Sequence, residues 1–342
     1  MAKQANILLI YTGGTIGMVR DTKTGALKAF NFDNLLKQIP ELNLLNCTIS
    51  SVALEDPIDS SNMCPKYWVQ IANLIRENYE DYTGFVVLHG SDTMSYTASA
   101  LSFMLENLCK PIVFTGSQLP IGDLRTDAKE NLITSIEMAS LMQGDEPLIK
   151  EVCLYFEYKL YRGNRTTKMN SEHFEAFDSP NYPDLAESGV HLKVSKKHLL
   201  KADLCHQLKV RTNFSTDVGI LKMFPGISEQ LVQAVLNTNN LRGLILETYG
   251  AGNATTADWF VKLLNDAITK GIHIVNVTQC VAGSVNMGHY ETSTELKSIG
   301  VISGKDITTE AAITKLMYLL SFNFNRKEFK FNYERPLRGE MF

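Results

Sequence analysis

The sequence predicts an α/β protein in which a parallel sheet is covered by helices on both faces. Short apolar runs of strand length alternate with segments whose apolar residues recur at helical spacing. This alternation is typical of parallel strands joined by crossover helices. The chain has 342 residues, which is long for one domain. We therefore expect a larger α/β domain over residues 1–205, a linker over 206–224 and a smaller α/β domain over 225–342.

The strands and helices are predicted from apolar runs, helical periodicity and capping residues. In the first domain we expect strands at 6–11, 49–54, 84–88, 112–115 and 152–160, and helices from residue 33, from 65 to 77, from 94 toward 111 and from 126. In the second we expect strands at 241–246 and 272–277, a helix over 256–270 and a late helix with Thr308 as its N-cap.

Composition and charge favour a small-molecule partner. The chain carries 33 basic and 37 acidic residues, a net charge of −4, without blocks of like charge. A nucleic-acid-binding surface and a polybasic membrane anchor are therefore not expected. No apolar stretch approaches membrane length, and the amino terminus does not resemble a signal peptide. These observations predict a cytoplasmic protein.

Cysteines and histidines give no sign of a metal or redox site. The six cysteines are scattered without a C-x-x-C pair, so we expect reduced thiols. The seven histidines show no ligand spacing, and neither a metal nor a cofactor is predicted.

The run TGGTIGM at residues 12–18 directly follows the first predicted strand. Its glycines allow a tight turn that presents the Thr15 hydroxyl at the carboxyl edge of the sheet, where open α/β sheets bind ligands. A dinucleotide fingerprint would need glycine in place of Thr12, and a P-loop would need Gly-Lys-Ser/Thr at its end. Taken alone, the run is best interpreted as a glycine turn with a half-buried threonine.

Two further polar segments each admit two interpretations. Residues 17–32 form either a mobile lid next to Thr15 or a surface loop. Asp59, Ser60 and Ser61 either cap the helix from residue 65 or bind a zwitterion. The second interpretation follows from chemistry, since hydroxyl and free amide groups suit a carboxylate and an aspartate suits an ammonium.

The motif HGSDTM at residues 89–94 is a second polar turn after an apolar strand. It places the Ser91 hydroxyl and the Asp92 carboxylate where the strand ends. Ser117 follows the next strand in the same way, and Lys168 closes a charged loop, where a lysine is usually solvated.

Together these motifs resemble the bacterial-type L-asparaginases, in particular their cytoplasmic type I branch. The ordered segments that carry the resemblance are YTGGTIG at 11–17, DSS at 59–61, HGSDTM at 89–94, TGSQ at 115–118, YRGNRTTK at 161–168, YGAGNA at 249–254, TQC at 278–280 and VISG at 301–304. The resemblance covers nearly the whole chain. It implies a two-domain asparaginase/glutaminase-like fold, a homotetramer with active sites between domains of paired subunits, and hydrolysis of L-asparagine to L-aspartate and ammonia.

The resemblance also implies residue roles, in two groups. The catalytic group is Thr15 as nucleophile, Ser91 and Lys168 in its proton relay, and Asp92, which contacts the substrate ammonium. The substrate-binding group is Asp59, Ser60 and Ser61 at the α-carboxylate and ammonium ends, Ser91 and Asp92, and Ser117 with a backbone contact to the leaving amide.

The chemistry of an amide hydrolase fits these residue types. A threonine hydroxyl is a poor nucleophile and an amide carbonyl a poor electrophile, so the site must deprotonate Thr15 and stabilise an oxyanion. Lys168 serves as the base if its amine is partly neutral, with the Ser91 hydroxyl carrying the proton. We expect a covalent β-aspartyl ester on Thr15.

Three residues depart from the pattern of the family that the chain resembles. Ser91 stands where the family has threonine and lacks the methyl group that restricts the rotamer, which predicts slower turnover. Ala26 follows the lid glycine where a tyrosine is expected. Glu247 replaces the arginine of the allosteric asparagine site, so little or no activation by asparagine is expected from a degenerate site comprising Glu247, Thr248, Tyr249, Gly250, Thr278 and Cys280.

Other functions stay open at this point. A glutaminase-asparaginase differs by one methylene in its substrate, a discrimination of about 1 to 3 kcal/mol. The amidase subunit of a tRNA-dependent amidotransferase would carry a basic RNA-facing region. An amino-acid sensor without turnover, or a nucleotide-binding protein built on the glycine turn, are alternatives from other classes.

Overall fold

A computed structural model of the protein describes residues 4–20, 27–29, 39–201, 207–288 and 291–342. The chain divides into two compact units, Met1–Thr212 and Asn213–Phe342. The helix predicted from residue 33 and the lid position Ala26 lie outside the described residues.

An eight-stranded sheet forms the centre of the first unit. Its strands in chain order are β1 (Ala5–Gly13), β2 (Cys47–Ile58), β3 (Gly84–Leu88), β4 (Ile112–Thr115), β5 (Val152–Phe156), β6 (Lys159–Arg162), β7 (Ala186–Glu187) and β8 (Lys193–Val194). Their spatial order is β8-β7-β6-β5-β4-β3-β1-β2. The five adjacent strands β2, β1, β3, β4 and β5 run parallel to one another. The remaining pairs, which involve β6, β7 and β8, are antiparallel.

Helices cover both faces of this sheet, as predicted. They are α1 (Pro65–Glu77), α2 (Met94–Met104) and α3 (Ala128–Ala139). On one face, Leu132 and Ile136 of α3 join a core with Leu9 and other alternate residues of β1. On the opposite face, Phe85 of β3 stacks on Tyr79, which follows α1, with ring centroids 6.1 Å apart. Because β1 is buried on both sides, its sequence is almost continuously apolar.

The single strand predicted over residues 152–160 is wrong. The chain reverses at Glu157 and Tyr158, whose φ angles are 44° and 70°, and β6 returns antiparallel to β5. Both arms of this hairpin are largely buried, so the sequence stays apolar through most of it. No glycine or asparagine marks the turn, which is why the pattern reads as one strand.

The helix predicted toward residue 111 ends at Met104. Leu105–Glu106 instead pairs with Lys209–Val210 as a short antiparallel ribbon. The other ribbons described in this unit are Met18–Arg20 with Leu27–Ala29, Met142–Gln143 with Glu146–Pro147, and Thr167–Lys168 with Phe177–Asp178.

A four-stranded parallel sheet forms the second unit. Its strands are β9 (Val218–Lys222), β10 (Gly243–Thr248), β11 (His273–Thr278) and β12 (Ile302–Ser303), adjacent in that order. The helices of this unit are α4 (Glu229–Leu236), α5 (Asp258–Thr269), α6 (Glu291–Ile299), α7 (Thr309–Leu319) and α8 (Arg326–Glu334). Thr308 is the N-cap of α7, as predicted, and its side chain accepts a hydrogen bond from Ala311 N.

The segment between the predicted domains contains more structure than a linker. Strand β9 lies inside the range 206–224 that the sequence suggested as a linker, and it pairs along its length with β10. The domain limits at residues 205 and 225 stay a prediction.

The prediction that all six cysteines are reduced is wrong, because Cys109 is disulfide-bonded. Whether a cysteine is bonded depends on the distance and orientation of a second cysteine in the fold, which spacing in the sequence does not give. Among the described residues, no helix is long and apolar enough to cross a membrane.

Candidate active site

The residues that the sequence singled out follow four neighbouring parallel strands. Thr15 comes after β1, the segment 59–61 after β2, Ser91 and Asp92 after β3, and Ser117 after β4. Because parallel strands end on the same edge of a sheet, their turns meet there. The order β2-β1-β3-β4 therefore brings these polar groups to one edge.

Glycines allow the turns after β1, β2 and β3 to touch through their backbones. Gly14 has a φ of 87°, and a Cβ atom on it would lie 2.5 Å from Gly90 N. A Cβ atom on Gly90 would lie 2.5 Å from Ser60 Oγ, and one on Gly13 would lie 2.0 Å from Ile58 O. Side chains at these positions would push the turns apart. The two turns that carry Thr15 and Ser91, the residues after Gly14 and Gly90, therefore pack closely against each other.

Lys168 contacts both polar groups of the turn after β3. Its Nζ atom lies 2.8 Å from Ser91 Oγ and 2.7 Å from Asp92 Oδ1. The Lys168 side chain is 18% exposed, whereas that of Asp92 is 64% exposed. The amine is thus held inside the site, while the carboxylate that pairs with it remains open to solvent and to a ligand.

The approach of Lys168 depends on the segment that precedes it. Thr166 is buried, and its hydroxyl lies 3.0 Å from the hydroxyl of Ser95 in the first turn of α2. Lys168 itself pairs with Phe177 in an antiparallel ribbon. Since Ser91 and Asp92 lead directly into α2, the contact between Thr166 and Ser95 fixes Lys168 relative to them.

The segment after β2 is a short turn capped by Asp59. Asp59 Oδ1 accepts a hydrogen bond from Ser61 N at 2.8 Å, and this bond lowers the pKa of the Asp59 carboxyl. The residue caps the one-turn 3₁₀ helix Ser60–Asn62 rather than α1, whose N-cap position is Cys64. Asp59 and Ser61 are exposed, and Ser60 is buried with its carbonyl accepting from Thr93 Oγ1.

The turn after β4 reaches the same group of residues through a side chain. Ser117 is buried, and its hydroxyl donates to Leu119 O at 2.6 Å, so the hydroxyl is engaged within the turn. Gln118 Oε1 lies 3.3 Å from Ser91 Oγ, and Gln118 Nε2 donates to His173 O. The sequence motif contained Gln118, but its contact with Ser91 follows only from the fold.

Comparisons with known proteins identify the family of this chain. Residues 6–200 match the family model described as "Asparaginase, N-terminal", and residues 217–331 match "Glutaminase/Asparaginase C-terminal domain". The chain belongs to the asparaginase family.

Relatives of this asparaginase-family chain include L-asparaginase 1 of Escherichia coli K12, 42% identical over 343 residues that span 99% of this chain and 98% of that protein. The 60 kDa lysophospholipase of Mus musculus is 39% identical over 367 residues, covering 100% of this chain and 63% of that protein. The crystal structure of L-asparaginase I from Vibrio cholerae matches with a TM-score of 0.90 at 40% identity, covering 99% and 100% of the two chains.

His89 lies in the turn after β3, directly before Gly90 and Ser91, and the sequence motif assigned it no role. It is 1% exposed, and its Nδ1 lies 2.7 Å from Gly90 O, so this nitrogen carries the proton. Burial lowers the pKa of the imidazole to about 4. Its Nε2 is buried without a hydrogen-bond partner among the described atoms.

The residues of the predicted degenerate allosteric site lie in the second unit at the ends of β10 and β11. Thr248 pairs with Thr278 across these strands, and Tyr249, Gly250 and Cys280 follow in the turns. Glu247 is already engaged, because its Oε1 accepts from Thr309 Oγ1 at 2.7 Å and its Oε2 lies 3.7 Å from Lys222 Nζ. A cavity of about 370 Å³ is lined by Tyr249 but not by Glu247, Thr278 or Cys280.

Within the described ranges, no group of three or more His, Cys, Asp or Glu side chains is arranged to hold a metal ion.

Proposed function

We propose that this chain hydrolyses L-asparagine to L-aspartate and ammonia through a covalent β-aspartyl ester on Thr15. The observation that carries the proposal is the contact of Lys168 Nζ with both Ser91 Oγ and Asp92 Oδ1, next to the Thr15 turn. A nucleophile, a relay hydroxyl and a base in this order form the usual arrangement for activating a weak hydroxyl nucleophile.

Substrate binding would change the partner of Asp92. In the free protein Asp92 is paired with Lys168, and the Asp92 side chain is largely exposed. The α-ammonium of asparagine would take over this carboxylate, while the α-carboxylate would face the hydroxyl and amide groups of Ser60 and Ser61. Lys168 would then lose its counter-charge, which favours the neutral amine that a base requires.

Proton transfer and ester formation follow from these positions. The Thr15 hydroxyl gives its proton to Ser91 Oγ as the Ser91 proton moves to Lys168 Nζ, and Thr15 Oγ1 attacks the side-chain carbonyl carbon. Backbone amides of the glycine turns stabilise the oxyanion. The carbon–nitrogen bond breaks, and the proton held by Lys168 returns to the leaving ammonia. Water then hydrolyses the ester and regenerates Thr15.

We also propose that asparagine does not activate the enzyme cooperatively. Glu247 would face the α-carboxylate of a bound asparagine with a like charge. Its carboxylate is additionally held by Thr309 and Lys222. A hyperbolic rate curve is expected, and a clearly sigmoidal one would contradict this part of the proposal.

A cytoplasmic homotetramer belongs to the same proposal and rests on the family resemblance. Light scattering should give four times the chain mass of 38.2 kDa. The disulfide at Cys109 does not favour the cytoplasmic location, since disulfides are rare in cytosolic proteins.

The experiment is ammonia release from L-asparagine and L-glutamine with the wild type and Thr15→Ala. We expect preference for asparagine and loss of activity in the variant. Mass spectrometry after acid quench of a slow variant should find the aspartyl adduct on the peptide that contains Thr15. An adduct on another residue, or an active Thr15→Ala protein, would refute the assignment.

A thermal-shift panel separates the alternatives. Stabilisation by aspartate without ammonia release would favour an amino-acid sensor, and stabilisation by nucleotide alone would favour a nucleotide-binding protein. Lysophospholipid serves as a further substrate in the assay because of the mouse relative. Release of fatty acid without ammonia would overturn the proposed substrate class.

A further inference from the structure

Asp127 occupies the N-cap position of α3 but does not cap that helix. Its side chain makes no capping hydrogen bond, and Ala128 N instead donates to Thr126 Oγ1 at 3.0 Å. Aspartate is among the residues most favoured at this position because it usually accepts from the first amides of its own helix. The carboxylate of Asp127, which is 5% exposed, must therefore serve another set of donors.

These donors lie in the turn after β4. Asp127 Oδ2 accepts from Gln118 N at 2.8 Å, and Asp127 Oδ1 accepts from Leu119 N at 3.0 Å. Two hydrogen bonds from consecutive backbone amides to one ionised group fix both the position and the orientation of the turn. Bonds to a charged acceptor are stronger than those between neutral groups.

Asn131, one helical turn further along α3, holds the same turn from its other end. Its Nδ2 donates to Gly116 O at 3.0 Å and to Asp127 Oδ2 at 3.2 Å, and its Oδ1 accepts from Glu157 N at 3.0 Å. Asn131 is fully buried. Both polar atoms of this side chain are thus used to tie the hairpin turn, the helix and the turn after β4 together.

The turn that these two residues hold reaches the reacting groups. Ser117 is the residue that the family resemblance assigns to the leaving amide. Its own hydroxyl is bound to Leu119 O, which leaves its backbone as the group that can contact substrate. Gln118 brings its Oε1 to 3.3 Å from Ser91 Oγ. A shift of the turn would move the Ser117 backbone relative to the leaving amide, and it would move Gln118 Oε1 relative to the Ser91 hydroxyl.

We propose that Asp127 and Asn131 are positioning residues for the hydrolysis, acting through the backbone of Gly116 to Leu119. This inference rests on the proposed function. The two side chains do not touch the reacting atoms. They set where the Ser117 backbone meets the leaving amide and where Gln118 meets Ser91. Their effect should therefore fall on kcat, because the α-carboxylate and ammonium ends are held by other turns.

The test is Asp127→Asn, with Asp306→Asn as the matched control. Asp127→Asn keeps the shape of the side chain. It replaces one of the two accepting carboxylate oxygens with a donating NH2 group, which would face the backbone N–H of Gln118 or Leu119. Asp306 is similarly buried at 7% exposed and its Oδ1 accepts from Phe342 N at 2.8 Å, so the control neutralises a comparable buried carboxylate in the second unit. We expect Asp127→Asn to lower kcat about 10- to 100-fold with KM changed less than about threefold, and Asp306→Asn to change neither.

A second variant covers the case in which Asp127→Asn fails to fold. Asn131→Leu keeps the number of side-chain heavy atoms and removes the contacts to Gly116 O, Asp127 and Glu157 N, while leaving the two bonds of Asp127 to Gln118 N and Leu119 N in place. A smaller fall in kcat, about 10-fold, is expected with the same small change in KM.

The outcomes distinguish this inference from the proposed function. If Thr15→Ala is inactive and both test variants keep the kcat of Asp306→Asn, Asp127 and Asn131 are structural only and the inference is overturned. An equal rise of KM without a fall in kcat would also overturn it. If Thr15→Ala remains active, the proposed function itself fails.

Discussion

Replacing Lys168 with methionine separates the contribution of the amine to catalysis from its contribution to the stability of the fold. Lys168→Met keeps an unbranched side chain that is one atom shorter, but it removes the contacts at 2.8 Å to Ser91 Oγ and at 2.7 Å to Asp92 Oδ1. The carboxylate left behind is not buried, because the Asp92 side chain is 64% exposed. Water can therefore solvate it in the variant.

The two expected magnitudes differ widely. An ion pair with one largely exposed partner contributes about 1 kcal/mol or less, so the melting temperature should change by a few degrees at most. Loss of a general base costs about 10²- to 10⁴-fold in rate. We therefore expect kcat to fall by at least about 100-fold while the protein remains folded.

The assay combines ammonia release at saturating L-asparagine with thermal unfolding of the same sample. Lys159→Met is the matched control, because Lys159 Nζ lies 3.6 Å from Asp184 Oδ2 and both side chains are exposed to at least 36%. It should leave both quantities nearly unchanged. A Lys168→Met enzyme that retains kcat within about tenfold of the wild type would refute the role of Lys168 as base.

Three further predictions address the neighbouring groups. Ser91→Thr should raise kcat by up to about threefold, because the added methyl group can restrict the hydroxyl from three staggered χ1 positions to one. A fall in kcat would contradict this. Gly14→Ala should destabilise the protein more than Gly226→Ala in urea unfolding. Both have nearly the same φ, 87° and 89°, but only the Cβ atom at Gly14 meets backbone, 2.5 Å from Gly90 N; equal losses would show that the close approach is unimportant. The pKa of His89 falls from 6.5 to about 4 on folding, so the unfolded chain binds a proton first as the pH drops. The free energy of unfolding should therefore fall by about 3 kcal/mol between pH 6.5 and pH 4. Urea unfolding at several pH values should show a smaller fall for His89→Gln. Parallel pH dependence of the two proteins would count against this.

Local patterns in the sequence were sufficient to predict the strand-turn-helix units whose turns carry the candidate site. Strands 84–88 and 112–115 and helix 65–77 have the bounds that their apolar runs and the proline at the helix start predicted. These elements depend on residues that are close in the chain, so the spacing of apolar residues and the capping residues predict them. The family resemblance, which rested on short ordered motifs, is confirmed by the two family models over both parts of the chain. The roles assigned to the individual site residues stay a prediction.

Patterns failed where a local signal was absent or overridden. The hairpin at Glu157 and Tyr158 uses two non-glycine residues with positive φ, so nothing in the sequence marks the reversal. The helix predicted past Met104 gives way to a strand pair with Lys209–Val210, a partner about a hundred positions away. The bonded state of Cys109 also depends on the fold.

The sequence by itself determined which side chains stand at the ends of strands: Thr15, Ser91 and Ser117 each follow an apolar run within a few residues. Only the tertiary structure decided which of them meet and what holds them. Lys168 reaches Ser91 across 77 positions of the chain, and Asp127 turns away from its own helix to bind Gln118 and Leu119. The reason is physical: periodicity and capping report interactions over a few residues, whereas strand order and buried hydrogen bonds join groups that are distant in the chain.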